Sequence, residues 1–345
     1  MNTREDRYLG YALCREMLET PALVANFPGE RLDRYAPPAG RVMLTGEGSS
    51  QIFPGAHLRR MALRRNYEGQ VLTESAADAA DYDLSGADVF VASNSGKTWE
   101  CVRLIRSLRD SPAGAPARIF GVAGGAETPV IAESDESYLL TCGPERAVAA
   151  TKSVVEQALL YDLYFRRHEE PGRGEQQQLD LAALAQQFES VLAAPVPPEL
   201  IEGLGRAPVV YFAGRNDGVA AELTLKTNEI LRRRSDCLPG TYALHGIEEV
   251  MDPRDVLIWI DPPEAYEKKI REVLVEGVGL SVFAVSSRHT RFPTMTIPQS
   301  EDDDTAAYLH LAAGWNILVE AGLAAGVDID KPERARKVGN EYRPD

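Results

Sequence analysis

At 345 residues the chain has room for about two domains, and its 44% apolar and 26% charged residues are ordinary for a globular protein. A formal charge of -15 argues against a nucleic-acid partner, and no apolar run reaches the roughly eighteen residues of a membrane span. The start, Met1-Asn2-Thr3-Arg4-Glu5-Asp6, lacks the apolar core of a signal peptide. The four cysteines (Cys14, Cys101, Cys142, Cys237) lie far apart without a metal-binding pattern, so reduced thiols in a cytoplasmic protein are expected.

In chain order, the pattern predicts a helix from Arg4 to Glu19 and a Pro-rich connection through Pro28, Pro37 and Pro38. A strand at Arg41–Thr45 runs into Gly46-Glu47-Gly48-Ser49-Ser50 and a helix from Gln51 to Arg65. A strand at Gln70–Glu74 and a short helix near Ala76–Tyr82 follow. The apolar run Asp88–Ala92 then leads into Ser93-Asn94-Ser95-Gly96-Lys97-Thr98, and Trp99–Arg106 carries apolar residues at helical spacing. Strands at Arg118–Val122 and Ser137–Thr141 complete the first half. A long helical pattern runs from Gly143-Pro144-Glu145 to His168, the polar segment 169–178 reads as a linker, and a helix covers Leu179–Ala193.

The second half repeats this order. A strand at Pro208–Ala213 ends in Gly214-Arg215-Asn216-Asp217 and is followed by a helix from Val219 to Arg233. Then come strand Asp255–Ile260, helix Glu264–Glu276, strands Leu280–Ser286 and Thr294–Ile297, and helix Asp304–Ala324. Alternating strands and helices imply an α/β fold with parallel sheets, and the repeated order implies an internal duplication. Ligands of such sheets sit beyond the carboxyl ends of the strands, where both Gly/Ser turns of the first half lie.

The turn Ser93–Thr98 is the centre of the first half. A helix start offers unpaired N–H groups and a positive dipole end, Gly96 lets the backbone approach an anion, and the hydroxyls add donors. It is not a nucleotide P-loop, because the glycine required five residues before Gly96 is Val91. Taken alone, such a turn could equally be a helix cap. At the matching place the second half has Ile260-Asp261-Pro262-Pro263-Glu264-Ala265. There the prolines remove donors and Asp261 repels anions, so one phosphate site is expected, in the first half.

Five motifs in this order carry a family resemblance: GEGSS at Gly46–Ser50, SNSGKT at Ser93–Thr98, GPERAVAATK at Gly143–Lys152, LKTNEI at Leu225–Ile230 with LHG at Leu244–Gly246, and DKPERARK at Asp330–Lys337. Over roughly Arg41 to Lys337 the chain resembles the double sugar-isomerase (SIS) domain family. That family includes the isomerase half of glucosamine-6-phosphate synthase and related phosphosugar isomerases and deaminases. The resemblance implies two flavodoxin-like three-layer α/β/α domains, at 41–168 and 195–328. An N-terminal helix and connection (1–40), a linker and helix (169–194) and an active-site tail (329–345) would complete the chain.

It further implies a sugar 6-phosphate substrate. Ser50, Ser93, Asn94, Ser95 and Thr98 would hold its phosphate, and Gly48, Ser49, Val148 and Lys226 would line the sugar. Glu229 matches the glutamate that carries a proton between C1 and C2 through an enediol or enolamine, work suited to one carboxylate base. His245 matches the ring-opening histidine, sixteen residues beyond the glutamate as in the synthase, and in relatives it reaches a neighbouring subunit's site, implying a homodimer. Lys337 matches a tail lysine that opens the sugar and can form a Schiff base, for which it must be neutral. Each residue has a plainer reading: a solvated helical charge for Glu229, a structural histidine for His245, a basic tail for Lys337. Glu145 is a further plausible group, and Lys97 would either grip phosphate or point to solvent.

The chain departs from the family at Glu47, where relatives carry a small or thiol residue, and at Ala150, where the synthase has serine. The identity of the sugar is therefore left open. Its Met1-Asn2 start, without the N-terminal cysteine of the synthase's glutaminase domain, implies no glutamine hydrolysis by that route. Acid–base chemistry alone forms an enediol, so neither a metal nor another cofactor is expected. An aldose–ketose isomerase or hexosamine-6-phosphate deaminase/isomerase is the leading expectation. The alternative is a phosphosugar-binding regulator without turnover, which would need the phosphate turn but not Glu229, His245 and Lys337.

Overall fold

The computed structural model describes residues 1–110, 114–168, 179–300 and 302–343. It divides into two compact units. The first comprises Met1–Pro21, Arg146–Ala149 and Leu184–Ala335, and the second Ala22–Glu145, Ala150–Ala183 and Arg336–Asp345. Each unit thus draws on separated stretches of sequence. The linker expected at 169–178 lies outside the described residues.

The elements run α1 (Asp6–Leu9), α2 (Ala12–Ala25), β1 (Arg41–Gly46), α3 (Ser49–Arg64), β2 (Gln70–Ser75), α4 (Ala76–Ala79), β3 (Asp88–Ala92), α5 (Trp99–Arg109), β4 (Arg118–Ala123), α6 (Pro129–Ala132), β5 (Glu136–Leu139) and α7 (Lys152–Arg167). They continue α8 (Leu181–Ala193), α9 (Pro198–Arg206), β6 (Val209–Gly214), α10 (Val219–Lys226), β7 (Arg234–Pro239), β8 (Val256–Ile260), α11 (Glu267–Ile270), β9 (Ser281–Ser286), β10 (Thr294–Thr296) and α12 (Ala306–Ala324).

Two five-stranded sheets result, ordered β2-β1-β3-β4-β5 and β10-β9-β8-β6-β7, and every strand pair is parallel. Read from the β7 edge, the second sheet repeats the order of the first. The expectation of an α/β fold with parallel sheets is met. Val89, Phe90, Val91 and Ala92 of β3 are buried on both faces, as are Leu257, Ile258 and Trp259 of β8, which is what a covered parallel sheet requires.

The strand order of the first sheet reverses between β1 and β3, the place at which sheets of this kind hold ligands. Gly46 pairs with Ala92 at the ends of these strands, so the turns at Glu47–Gly48 and Ser93–Thr98 leave the sheet side by side. Gly46 is needed for this approach: a Cβ there would lie 2.6 Å from the Ala92 carbonyl oxygen.

Several elements differ from expectation, each for a local reason. The helix expected over Arg4–Glu19 is two helices, because the Asp330 carboxylate accepts the N–H groups of Ala12 (2.7 Å) and Leu13 (2.8 Å) and so starts a new helix there. The helix expected from Glu145 begins only at Lys152, since residues 146–147 turn their N–H groups to the Glu16 carboxylate. The helix expected to run to Arg233 narrows to α10 and ends in a π-helical turn, Thr227–Leu231. Strand β7 and helix α9 were not expected from the sequence pattern. β7 is a polar edge strand, exposed at Arg234, Asp236 and Pro239, with no apolar run to reveal it.

Replacing Gly46 by Ala should lower stability by about 2 kcal/mol without altering the fold, since backbone rather than a flexible side chain meets the added methyl. Urea unfolding checks this, and an unchanged midpoint would contradict the close approach.

Candidate functional site

In the unit carrying the first sheet, the turn Ser93–Thr98 joins β3 to α5. Gly96 adopts φ +64°, and a Cβ there would lie 2.2 Å from Thr128 Oγ1, so only glycine suits the position. Its N–H donates to Ser93 Oγ (3.1 Å), and the Lys97 N–H donates to Ser95 Oγ (3.2 Å). Ser93 Oγ lies 2.8 Å from Thr98 Oγ1 and 3.3 Å from Ser95 Oγ, so three of the five expected phosphate ligands form one hydroxyl cluster. Of the others, Ser50 accepts a long hydrogen bond from Gln157 (3.4 Å) in the first turn of α3. Asn94 turns its amide away, donating to Glu145 Oε2 (2.8 Å). Lys97 is exposed.

Glu145 is the hub of this unit. Its side chain is fully buried, and its carboxylate accepts from the Thr151 N–H (2.8 Å) and the Ser153 hydroxyl (2.6 Å), besides Asn94. Lys337 Nζ lies 3.5 Å from it. Burial pushes this carboxyl upward, but the Lys337 charge and the donors at the start of α7 outweigh it and hold the group below its ordinary value. One carboxylate thus gathers the donors at the start of α7 and the Asn94 amide, with the Lys337 ammonium beside it.

The Ser49 side chain begins α3 and is buried, after Gly48 in a positive-φ conformation (φ +57°). Glu47, the departure from the family pattern, is half-buried and accepts from the Ala77 N–H (3.0 Å). Desolvation raises its carboxyl above the ordinary value.

In the other unit, Lys226 is fully buried between two carboxylates: Glu229 Oε2 at 2.7 Å and Glu222 Oε1 at 3.3 Å. Burial alone would lower this ammonium, yet the two carboxylates raise it above its ordinary value, so it stays charged. Glu229 is part-exposed and sits in the π-helical turn, a geometry frequent at functional sites. Val148 donates its N–H to the Asp330 carbonyl (3.4 Å) in this unit. His245 stands on an exposed segment with Nε2 3.3 Å from Thr241 Oγ1.

Sequence reading missed Glu222. The signal was present: Glu222, Lys226 and Glu229 fall on one helical face at spacings of four and three. At the end of β8 in the second sheet, Asp261 (φ +47°) pairs with Arg215 (2.5 Å) and accepts from Ser286 (3.0 Å), so a carboxylate occupies the place where the first sheet has its hydroxyl cluster. Among the described residues no group of three or more His, Cys, Asp or Glu is arranged to hold a metal ion, and no helix is long and apolar enough to cross a membrane.

The fold is shared with solved phosphosugar proteins. It matches the tagatose-6-phosphate ketose/aldose isomerase of Escherichia coli (TM-score 0.73, 17% identity, 97% of this chain and 99% of that chain). It also matches the glucosamine-6-phosphate deaminase of Thermotoga maritima (TM-score 0.74, 19% identity, 96% and 99%). A third match is the C-terminal domain of glucosamine-fructose-6-phosphate aminotransferase from Francisella tularensis (TM-score 0.75, 17% identity, 93% and 98%). In sequence, the chain is 27% identical over 346 residues to the isomerizing glutamine–fructose-6-phosphate aminotransferase of Aeropyrum pernix, covering 93% of this chain and 53% of that protein. The chain therefore resembles the isomerase half of these aminotransferases, as its motifs imply, and spans about half the length of the curated relatives it matches. No model of a known protein family matches it.

Because the Glu145 carboxyl lies below its ordinary value of 4.5, its ionised form stabilises the fold above that pH, and the contribution is lost as the pH falls through the lowered value. Glu145→Gln should cost about 2 kcal/mol at pH 7. The difference from wild type should shrink below about pH 4.5. Urea titrations at both pH values measure it, and a constant difference would contradict the assignment.

Proposed function

We propose that the chain is a phosphosugar enzyme, either an aldose–ketose isomerase or a hexosamine-6-phosphate deaminase/isomerase, working through an enediol or enolamine by acid–base catalysis. The observation that carries this reading is the Glu229 carboxylate, set in a π-helical turn and hydrogen-bonded by the buried Lys226 ammonium. A sensor needs no such pair. The relatives support the substrate class: their names specify fructose 6-phosphate, glucosamine 6-phosphate and tagatose 6-phosphate.

In this mechanism the hydroxyls of Ser93, Ser95 and Thr98, with Ser50, grip the phosphate of a sugar 6-phosphate. His245, supplied by a second copy of the chain in a homodimer, protonates the ring oxygen and opens the sugar. Lys337 assists at the carbonyl. Glu229 removes the proton from the carbon next to the carbonyl. The C–H electron pair becomes the enediol double bond as the carbonyl π pair moves to its oxygen, which takes up a proton. The abstracted proton is then delivered to the former carbonyl carbon, while the neighbouring hydroxyl gives up its proton and becomes the new carbonyl. Lys226 holds the Glu229 carboxylate in place through its hydrogen bond. Gly48, Ser49, Val148 and Lys226 line the sugar, whose identity the departures at Glu47 and Ala150 leave open. The shared strand order of the two sheets supports an origin by duplication, with two SIS domains at 41–168 and 195–328, and phosphate binding kept by the first. Four unpaired cysteines fit a reducing, cytoplasmic setting.

On whichever hexose 6-phosphate the protein converts, Glu229→Gln should lower kcat about 1,000-fold and leave the dissociation constant near wild type. Loss of binding in parallel with turnover would refute the role. Ser95→Ala with Thr98→Ala should weaken binding of the same compound about 100-fold by calorimetry. Unchanged affinity would place the phosphate elsewhere.

A further inference from the structure

The end of the chain is fastened to the start of α5. The Tyr342 N–H donates to the Lys97 carbonyl (2.7 Å) and the Trp99 N–H donates to the Asn340 carbonyl (3.0 Å), around an antiparallel bridge between Thr98 and Glu341. The tail thereby supplies the partner for the first N–H of α5, one of the donors a helix start leaves open. Asn340 Nδ2 donates to Glu100 Oε1 (2.9 Å). The rings of Trp99 and Tyr342 stack with centroids 5.5 Å apart and planes 2° from parallel. The Arg106 guanidinium lies 4.5 Å from the centre of the Tyr342 ring and donates to its hydroxyl (3.0 Å). Arg106 is itself held by two bonds to the Glu133 carboxylate (2.6 and 2.8 Å).

These contacts lie at both ends of the phosphate turn's neighbourhood: Trp99 directly follows Thr98, and Lys337 stands five residues before Tyr342. Residues 338–341 form no helix and no strand beyond the single bridge, so apart from that bridge and the Asn340 bonds no regular structure places Lys337. Ordering such a segment costs conformational entropy, which stacking and a cation over the ring can offset. Its ion pair with the buried Glu145 holds the lysine from one side. Trp99 accounts for a large aromatic side chain left 39% exposed on the first turn of α5: it is the platform for Tyr342.

We propose that Trp99, Arg106 and Tyr342 form a clamp that positions Lys337 beside Glu145 and ties the tail to the phosphate turn. They are positioning residues rather than catalytic ones. The inference rests on the reading of Lys337 as the group acting at the carbonyl, and its test separates the two.

The test labels the full-length protein briefly with acetic anhydride, reads Lys337 acylation by mass spectrometry, and measures kcat and KM on a converted hexose 6-phosphate. Tyr342→Ala should raise Lys337 labelling severalfold and lower kcat about tenfold with KM little changed, as expected for a misplaced group. Tyr342→Phe keeps the stacked ring and should return both towards wild type, while Trp99→Ala should behave as Tyr342→Ala. Unchanged labelling in Tyr342→Ala overturns the clamp. Raised labelling with wild-type kcat overturns its role in positioning for the reaction. Raised labelling and rescue by phenylalanine, in a protein that converts no hexose 6-phosphate, supports the clamp and refutes the proposed function instead.

Discussion

A buried carboxylate needs partners, and Glu145 collects them from three distant stretches of chain. Leaving the charge unpaired inside the protein would cost several kcal/mol, more than most single contacts return. The start of α7 supplies Thr151 and Ser153, the turn Ser93–Thr98 supplies Asn94, and the tail supplies Lys337. The need to satisfy one anion therefore registers the turn, the long helix and the tail against each other. The hydroxyl cluster and the tail lysine belong to the same unit for that reason.

The other unit solves a related problem with the opposite sign. Lys226 is a buried cation, and Glu222 and Glu229 neutralise it at helical spacing. One carboxylate is buried with it and the other reaches a part-exposed position. The second sheet ends differently at the matching strand. Where β3 ends in hydroxyls and a glycine, β8 ends in Asp261, already engaged by Arg215 and Ser286. A carboxylate there disfavours a bound phosphate by charge alone.

Much of this is legible in the sequence because its causes are local. The strands around Val89 and Ile258 announce themselves by unbroken apolar runs. The turn Ser93–Thr98 announces itself by a glycine between hydroxyls at a strand end, and Lys226 with Glu229 by helical spacing. What escapes the sequence depends on distant partners. Nothing near Ala12 shows that Asp330 will start a helix there, and nothing near Arg146 shows that Glu16 will take its backbone N–H. Asn94 reads as a phosphate ligand from its motif, yet its amide faces Glu145 across fifty-one residues. The aromatic pair of Trp99 and Tyr342 joins residues too far apart for any periodicity to connect them. The interleaving of the two units has the same origin, since tertiary packing and not local pattern assigns the N-terminal helix and the tail.

The central claim is that this chain converts a sugar phosphate rather than only binding one. Phosphorus NMR of the pure protein with glucosamine-, galactosamine-, glucose-, mannose- and fructose-6-phosphate in turn, with ammonia assayed in the same tubes, tests it most directly. The account predicts that at least one compound gives a new phosphate resonance from the interconverted sugar, with ammonia released if the reaction is a deamination. Thermal stabilisation by one of them, with every resonance unchanged after prolonged incubation, would contradict it and leave a phosphosugar-binding protein without turnover.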